Sequence, residues 1–145
     1  GELVELFLQH RAGVEACAKN KFYKQNFKGV IPMMDENCIF CKIIKGDIPS
    51  NKVYEDDKMI AIHDVAPAAP VHVLLLPKEH TANVTTADPA LVAYMLGKVK
   101  EIAEKTGIYE KGFRVVMNTG EDGGQTVNHL HIHVIGGKAL GWPPC

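Results

Sequence analysis

Three histidines alternate with apolar residues near the end of the chain, in the run His129-Leu130-His131-Ile132-His133-Val134-Ile135. Side chains of a β-strand point alternately to its two faces, so this spacing predicts a strand over 127–135 with the three imidazoles on one side. Imidazole is both a nucleophile near neutral pH and a metal ligand. Two chemistries therefore stay open from the residues alone: a three-histidine metal centre, and a histidine nucleophile assisted by other histidines.

A second candidate is the C-x-x-C pair formed by Cys38 and Cys41. Such a pair is a redox couple, one half of a zinc site or a chance spacing, and the residues do not choose between them. Cys17 and Cys145 have no evident partner in the sequence, and we expect them to be surface thiols.

Composition excludes several classes of function. The chain has 145 residues, 46% hydrophobic and 23% charged, which favours one folded domain over a disordered chain. Its net charge of −1 provides no basic field for nucleic acid, and apolar runs such as 73–76 are too short to span a membrane. Glu2 and Glu5 occupy positions that are basic in a secretory leader, so we expect a reducing compartment, the cytoplasm, and the nucleus as well in a eukaryote.

The first 33 residues differ from the rest in charge, +2 against −3. Leu3, Leu6 and Phe7 recur at helical spacing, which predicts a short helix there. Because Met33-Met34 precedes an acidic turn, the predicted organisation is an N-terminal extension of unknown role, 1–33, followed by one domain, 34–145.

Within that domain the patterns predict two helices and about five strands. A short helix over 38–45 follows an Asn37 N-cap and ends at Gly46, and one long helix runs from Asp88 to Thr106 and ends at Gly107. The apolar stripe of the long helix comprises Leu91, Val92, Met95, Leu96, Val99, Ile102 and Ala103. Strands are predicted over 52–55, 59–64, 71–76, 113–118 and 127–135, and the apolar run within 71–76 suggests a central strand that is buried on both faces. The predicted fold class is α+β, with an antiparallel sheet.

The histidine run and its surroundings resemble the histidine triad (HIT) family, and within it the Hint nucleotide-binding branch. The matching segments are Cys38–Ile44, His63-Asp64-Val65, Pro77-Lys78-x-His80, Gly124-Gln125-Thr126-Val127, Asn128, Gly136-Gly137 and Trp142-Pro143-Pro144, so the resemblance covers about 36–145. Thr126 stands where many members have serine, and Cys145 stands where glycine is frequent.

The resemblance implies a purine nucleoside phosphoramidase that releases AMP from adenosine 5'-phosphoramidate or aminoacyl-adenylate substrates. His131 would be the nucleophile and form a nucleotidyl-histidine, His133 would contact the phosphate, and His72 would orient the nucleophile. Thr126 completes the predicted catalytic set. The alternatives are a dinucleoside polyphosphate hydrolase of the same family and a non-catalytic nucleotide-binding regulator.

The resemblance also implies a nucleotide pocket in which apolar side chains hold the base and Asp64 accepts from the ribose hydroxyls. Asn118, Gln125 and Thr126 would donate to the phosphate or the leaving group, and Gly124 would let the backbone approach the phosphate. The predicted nucleotide-binding residues are Ile39, Phe40, Ile43, His63, Asp64, Val65, Leu74, Asn118, Gly124, Gln125, Thr126, His131, His133 and Trp142.

The resemblance further implies a structural zinc ion held by Cys38, Cys41, His80 and His129, with a pair of free thiols as the alternative. A three-histidine catalytic zinc site would compete with this set for His129. It also implies a homodimer paired through the long helix and a central strand, with the tail at Trp142 directed toward the other subunit's site. No nucleic acid and no membrane are expected as partners.

Overall fold

The computed structural model describes residues 35–144. The predicted helix around Leu3, the extension, the Met33-Met34 boundary, Cys17 and Cys145 lie outside the described residues. Within the described part, no helix is both long and apolar enough to cross a lipid bilayer.

The described chain contains three helices and five strands. In chain order they are α1 (Ile39–Lys45), β1 (Lys52–Glu55), β2 (Met59–His63), β3 (Val71–Pro77), α2 (Pro89–Gly97), α3 (Val99–Lys105), β4 (Phe113–Val116) and β5 (Ile132–Gly136). The α+β class, the five strands and the placement of α1 confirm the predicted fold.

All five strands form one antiparallel sheet in the order β1-β2-β3-β5-β4. The apolar strand β3 is central, as predicted, and is hydrogen-bonded to β2 and β5. A central strand with two neighbours cannot extend the sheet into a second subunit. Within the described residues, β1 and β4 are the edge strands that could continue the sheet into another copy, and the predicted pairing of two chains stays a prediction.

Each face of the sheet packs against a different layer of helix. On one face, Val73, Leu75, Ile132 and Val134 join residues of α2 and α3 in the larger core. On the opposite face, side chains from β2 and β3 pack against α1; this second cluster contains Cys38, Ile39, Phe40, Cys41, Ile43, Ile60, Ile62, Leu74, Leu76 and Val127. Because Leu74 pairs with His133, the side chain of His133 lies on the face that α1 covers.

The long helix is interrupted at Lys98, which separates α2 from α3. The predicted N-cap is correct, since the Asp88 side chain accepts from Ala90 N–H at 2.9 Å. After Gly97, which favours helix poorly, the Lys98 N–H bonds to Met95 O, three residues back, and the turn tightens. Leu96 is 41% exposed, so its assignment to the apolar stripe is wrong.

Two predicted boundaries are also corrected. The N-cap of α1 is Cys38 rather than Asn37, because the Cys38 thiol accepts from the Cys41 N–H at 3.5 Å. The predicted end at Gly46 is correct, and its φ of 88° is the left-handed conformation that glycine adopts without strain. β5 begins at Ile132 rather than near Val127. The preceding backbone bonds elsewhere: Leu130 N–H donates to Thr81 O at 2.7 Å.

Candidate active site and candidate metal centre

His131 directly precedes β5 and is 3% exposed. Its Nδ1 lies 2.6 Å from the carbonyl oxygen of His129, which only accepts, so the ring proton of the neutral form is on Nδ1. The lone pair is then on Nε2. Burial lowers the pKa of His131 to about 4, which keeps the imidazole neutral near pH 7. A neutral imidazole with its lone pair on a defined nitrogen is the form that attacks an electrophile.

His133 and His72 are linked in a hydrogen-bonded chain. Nδ1 of His72 accepts from Ala68 N–H at 3.0 Å, so in neutral His72 the proton is on Nε2. That Nε2 lies 2.9 Å from Nδ1 of His133, which therefore accepts, and His133 carries its own proton on Nε2. The rings of His131 and His133 are 4.9 Å apart. The chain thus leaves an N–H donor on the ring that is next to that of His131.

Asp64 is buried at the other end of this chain. One carboxylate oxygen accepts from Ala66 N–H at 2.9 Å, and the other lies 3.4 Å from Nε2 of His72. The Asp64 side chain has no exposed area, so in this arrangement it faces His72 rather than a ligand. A ribose contact of the kind predicted from the sequence requires this carboxylate to turn outward.

Potential ligand atoms of Asp64, His72 and His133 all lie within 4.8 Å of one another. The hydrogen bond from Ala68 nevertheless fixes a proton on Nε2 of neutral His72, and a protonated nitrogen does not bind a metal. The geometry favours a hydrogen-bonded network over a metal site at this position.

Cys38, Cys41, His80 and His129 converge into a second buried group, the Cys2His2 cluster. Sγ of Cys41 lies 3.3 Å from Nδ1 of His80 and 3.5 Å from Nδ1 of His129, and Sγ of Cys38 lies 3.5 Å from the latter. The two Nδ1 atoms are 3.1 Å apart. The sequence prediction that these four residues come together is reproduced in the structure.

These separations fit a zinc ion. Tetrahedral zinc with bonds of about 2.3 Å to sulfur and about 2.0–2.1 Å to nitrogen separates sulfur from nitrogen by roughly 3.5 Å and two nitrogens by roughly 3.3 Å. In addition, Nε2 of His129 lies 2.9 Å from Pro77 O, which places the proton there and leaves Nδ1 as a ligand. Since His129 faces the cysteines, the three histidines do not converge on one metal.

The cysteines differ in acidity. A hydrogen bond from the Cys38 thiol lowers the pKa of Cys41 far below its ordinary range, in spite of burial, and His129 and His80 act in the same direction. The same contact, together with burial, raises the pKa of Cys38. Cys41 is therefore ready to act as a thiolate ligand.

The residues predicted to bind the nucleotide are divided by the structure. Phe40, Ile43 and Leu74 are at most 1% exposed and belong to the second cluster, so they lie beneath the histidine face. Val65 and Trp142 are 63% and 82% exposed. The remaining side chains have intermediate or low exposure: Ile39, His63, Asn118 and Thr126.

Asn118 is placed beside the histidines by strand register. Val116 at the end of β4 pairs with His133, and the strands are antiparallel. Continuing the chain two residues beyond Val116 therefore brings Asn118 to the end of the sheet where His131 lies. An amide at that position is able to donate to an anionic group next to the nucleophile.

The Gln125 side chain is hydrogen-bonded to the backbone of its own loop and of the loop at Ala82. Its amide nitrogen donates to Ala82 O at 2.7 Å and to Val127 O at 3.0 Å, and its oxygen accepts from Gly120 N–H at 3.1 Å. Both amide hydrogens are used, so donation to a phosphate, which stays a prediction, would require the side chain to give up one of these carbonyl oxygens. Gly124 has a φ of 76°, a left-handed conformation in this turn that glycine adopts without strain.

Sequence reasoning missed the groups that fix the imidazoles. The Ala68 N–H and the carbonyl oxygens of His129 and Pro77 belong to the backbone, which carries no signal in residue identity. It also missed that Phe40 contacts two histidines edge-on, with ring centroids 5.1 Å from His131 and 5.9 Å from His129.

Comparison with known proteins agrees with this geometry. The model of the HIT domain matches residues 45–140. An uncharacterized HIT-like protein of Synechococcus elongatus is 53% identical over 114 residues, which are 77% of this chain and 99% of that protein. A 14 kDa zinc-binding protein of Zea mays is 42% identical over 76% of this chain and 89% of its own length.

A solved structure is similar as well. The HIT family hydrolase of Clostridium thermocellum is 49% identical, with a TM-score of 0.72 over 74% of this chain and 96% of its own. With the domain matched over 45–140 and relatives at this level of identity across nearly their whole length, the chain belongs to the HIT family.

Proposed function

We propose that the chain is a nucleoside phosphoramidase, which hydrolyses the P–N bond of adenosine 5'-phosphoramidate or the acyl-phosphate bond of an aminoacyl adenylate and releases AMP. The observation that carries this proposal is the hydrogen bond between Nδ1 of His131 and the carbonyl oxygen of His129. It directs the lone pair to Nε2 of a neutral, buried imidazole. A nucleophile of this kind is what a two-step hydrolysis through a covalent intermediate requires.

In the first step Nε2 of His131 attacks the phosphorus, the P–Nε2 bond forms and the P–N bond to the leaving amine breaks. The leaving amine takes up one proton from solvent as it departs, and the attacking water of the second step returns one proton to solvent. In the second step water attacks the same phosphorus, the P–Nε2 bond breaks, and AMP leaves with the oxygen of that water. The imidazole ends in its starting state, so one histidine serves both steps.

His133 and His72 support this nucleophile. The hydrogen-bonded chain leaves the His133 proton on Nε2, where it is able to donate to a phosphoryl oxygen as negative charge develops. His72 contacts no reacting atom in this scheme. It orients His133, and Asn118 and Thr126 are further donors toward the phosphate or leaving group.

The predicted base slot needs an opening beside the second cluster. At its edge we place His63, which is partly exposed, and Ile39, which is buried with 7% exposure. Phe40, Ile43 and Leu74 form its buried floor. A slot of this apolar character contacts purine rings through their faces and reads few polar groups. Asp64 would accept from the ribose after turning from His72.

Zinc is the proposed cofactor. When bound, the ion closes the Cys2His2 cluster and ties α1 to the loops that carry His80 and His129. A thiolate at Cys41 needs a reducing compartment to persist, so we place the protein in the cytoplasm. The zinc-binding relative of maize supports the same assignment.

The proposed quaternary state is a homodimer. β4 is an edge strand, and Val115 on it is 37% exposed. An exposed apolar edge strand pairs readily with another copy, which would continue the sheet across the subunits. Residues 1–33 precede the matched domain, and we propose that they are dispensable for catalysis.

The test is turnover of adenosine 5'-phosphoramidate against diadenosine polyphosphate by the same preparation. A phosphoramidase prefers the first substrate by a large factor. Preference for the second substrate would identify a dinucleoside polyphosphate hydrolase, and binding of AMP with neither turnover would identify a nucleotide-binding regulator.

A further inference from the structure

Phe40 lies between the two cysteines of the Cys2His2 cluster, on α1, and its side chain is fully buried. Its ring meets His129 at an interplanar angle of 88° and His131 at 74°, both edge-to-face contacts. One aromatic ring therefore contacts a proposed metal ligand and the proposed nucleophile at the same time.

The backbone of Phe40 is fixed by its neighbours in the chain. The Cys38 thiol caps α1 by accepting from Cys41 N–H, and Sγ of Cys41 contacts Nδ1 of His80 and of His129. Because residues 38 and 41 are both held by the cluster, a change in the cluster would move the backbone that carries the ring between them.

His129 forms a second connection from the cluster to the nucleophile. Its Nδ1 faces the cysteines and its Nε2 faces Pro77 O. Its carbonyl oxygen, on the same residue, accepts from Nδ1 of His131. Both the hydrogen bond and the Phe40 ring contact that orient the imidazole of His131 thus come from residues that the cluster fixes.

We infer that Phe40 is a positioning residue that transmits the arrangement of the Cys2His2 cluster to His131, so that loss of the metal slows the reaction without weakening nucleotide binding. The catalytic part of this inference rests on the proposed function. Phe40 also forms part of the floor of the proposed base slot, and an effect exerted through that slot would appear in KM instead of kcat. The ring acts on the nucleophile through packing, and a displacement of about 1 Å at a reacting atom costs on the order of a hundredfold in rate.

The first experiment compares Phe40→Leu with Ile60→Val, a matched change in the same apolar cluster on β2. Each variant is assayed for kcat and KM, for zinc content, and by ¹⁵N NMR of the His131 ring. For Phe40→Leu we expect kcat to fall about 10- to 100-fold, KM to stay within about threefold, and zinc to stay near one equivalent. The His131 signals should move away from a single Nδ1–H tautomer. Ile60→Val should leave all four readouts close to wild type.

The second experiment removes zinc from the wild-type protein and from Phe40→Leu. Chelation should reproduce the shift of the His131 signals and the loss of kcat in the wild type. In Phe40→Leu the further loss should be smaller, because one of the two connections is already broken.

Several results would overturn the inference: unchanged kcat in Phe40→Leu, a change in KM alone, an equal effect in Ile60→Val, no bound zinc in the wild type, or His131 signals that ignore chelation. Failure of the proposed function is a separate result. It appears as no wild-type turnover of either substrate, while the NMR comparison still decides whether the cluster and His131 are coupled.

Discussion

His72 and His133 are joined end to end, with Nε2 of His72 2.9 Å from Nδ1 of His133 and the far side of His72 bonded to Ala68 N–H. This relationship assigns the tautomer of both rings, because a backbone N–H only donates. In this pair His133 is the proposed donor to the phosphoryl group, and His72 orients it. This arrangement makes His72 the residue at which an orienting role is most directly testable.

For His72→Ala we expect kcat to fall about a hundredfold with little change in KM, because His133 loses the group that fixes its ring and proton. His72→Gln is the matched control. Its amide is able to donate near the position of Nε2, and it should recover part of the lost rate. Steady-state kinetics of both variants provide the measurement. Equal activity of His72→Ala and His72→Gln would contradict an orienting role that depends on the hydrogen bond to His133.

His131→Ala should lower turnover of adenosine phosphoramidate by several orders of magnitude, because it removes the attacking nitrogen. AMP affinity should stay within about tenfold, since the base and ribose contacts remain. His133→Ala should cost less, about 10²- to 10³-fold in kcat, as expected for one donor to a developing charge.

The covalent step of this scheme has its own readout. Acid-sensitive label from a slow substrate should be trapped on the wild-type chain in a denaturing quench and map to His131. Label on another residue, or near-normal turnover by His131→Ala, would replace the histidine nucleophile with direct attack by water.

The sequence predicts the sheet well for a physical reason. The apolar run within 71–76 suggests a strand covered on both faces, and β3 is one. The alternation around His131 correctly separates core from site for Ile132, His133 and Val134. Both predictions follow from side-chain periodicity, which the sequence carries directly.

The features that the sequence did not predict have an equally specific cause. The start of β5 and the conformation of Asp64 depend on backbone groups that bond across the fold, such as Thr81 O and Ala66 N–H. The amide of Gln125 donates to the backbone at Val127 and, across the fold, at Ala82. Residue identity does not reveal with which of several available groups a side chain forms its hydrogen bonds.

Zinc should be present at about one equivalent per chain and be lost in Cys41→Ser, since serine does not replace a thiolate ligand. The melting temperature should fall by on the order of 10 °C or more, because the cluster ties α1 to the sheet. Cys17→Ser is the control, and it should keep both metal and stability. Elemental analysis of protein purified without chelators provides the measurement, and less than about a tenth of an equivalent in the wild type would favour free thiols.

Asp56 should make the stability depend on acid pH. Burial alone would raise the pKa of Asp56, but hydrogen bonds from Tyr54, Tyr94 and the N–H groups of Lys58 and Met59 lower it below its ordinary value of 3.8. A depressed pKa in the folded state stabilises the protein above the unfolded pKa, and this contribution is lost as pH falls through the folded value.

Urea unfolding from pH 7 to pH 2 tests this dependence. Asp56→Asn should be less stable than wild type at pH 7, and the difference should narrow below about pH 4, where the wild-type carboxylate begins to protonate in the unfolded chain. Asp57→Asn, at the exposed neighbour, should follow the wild-type curve. A constant difference at every pH would mean that the charge of Asp56 contributes nothing.

Val115→Lys should weaken the proposed dimer. Val115 is exposed on β4, an edge of the sheet, and a lysine on an edge strand opposes pairing with another strand because its charge must be desolvated. Light scattering at micromolar concentration should show a dimer for wild type and a shift toward monomer for Val115→Lys. Val84→Lys places the same charge at a site of similar exposure, 38% against 37%, outside the strands, and should leave the dimer intact. If the wild type is monomeric, or if both lysine variants behave alike, β4 is not the contact through which two chains pair.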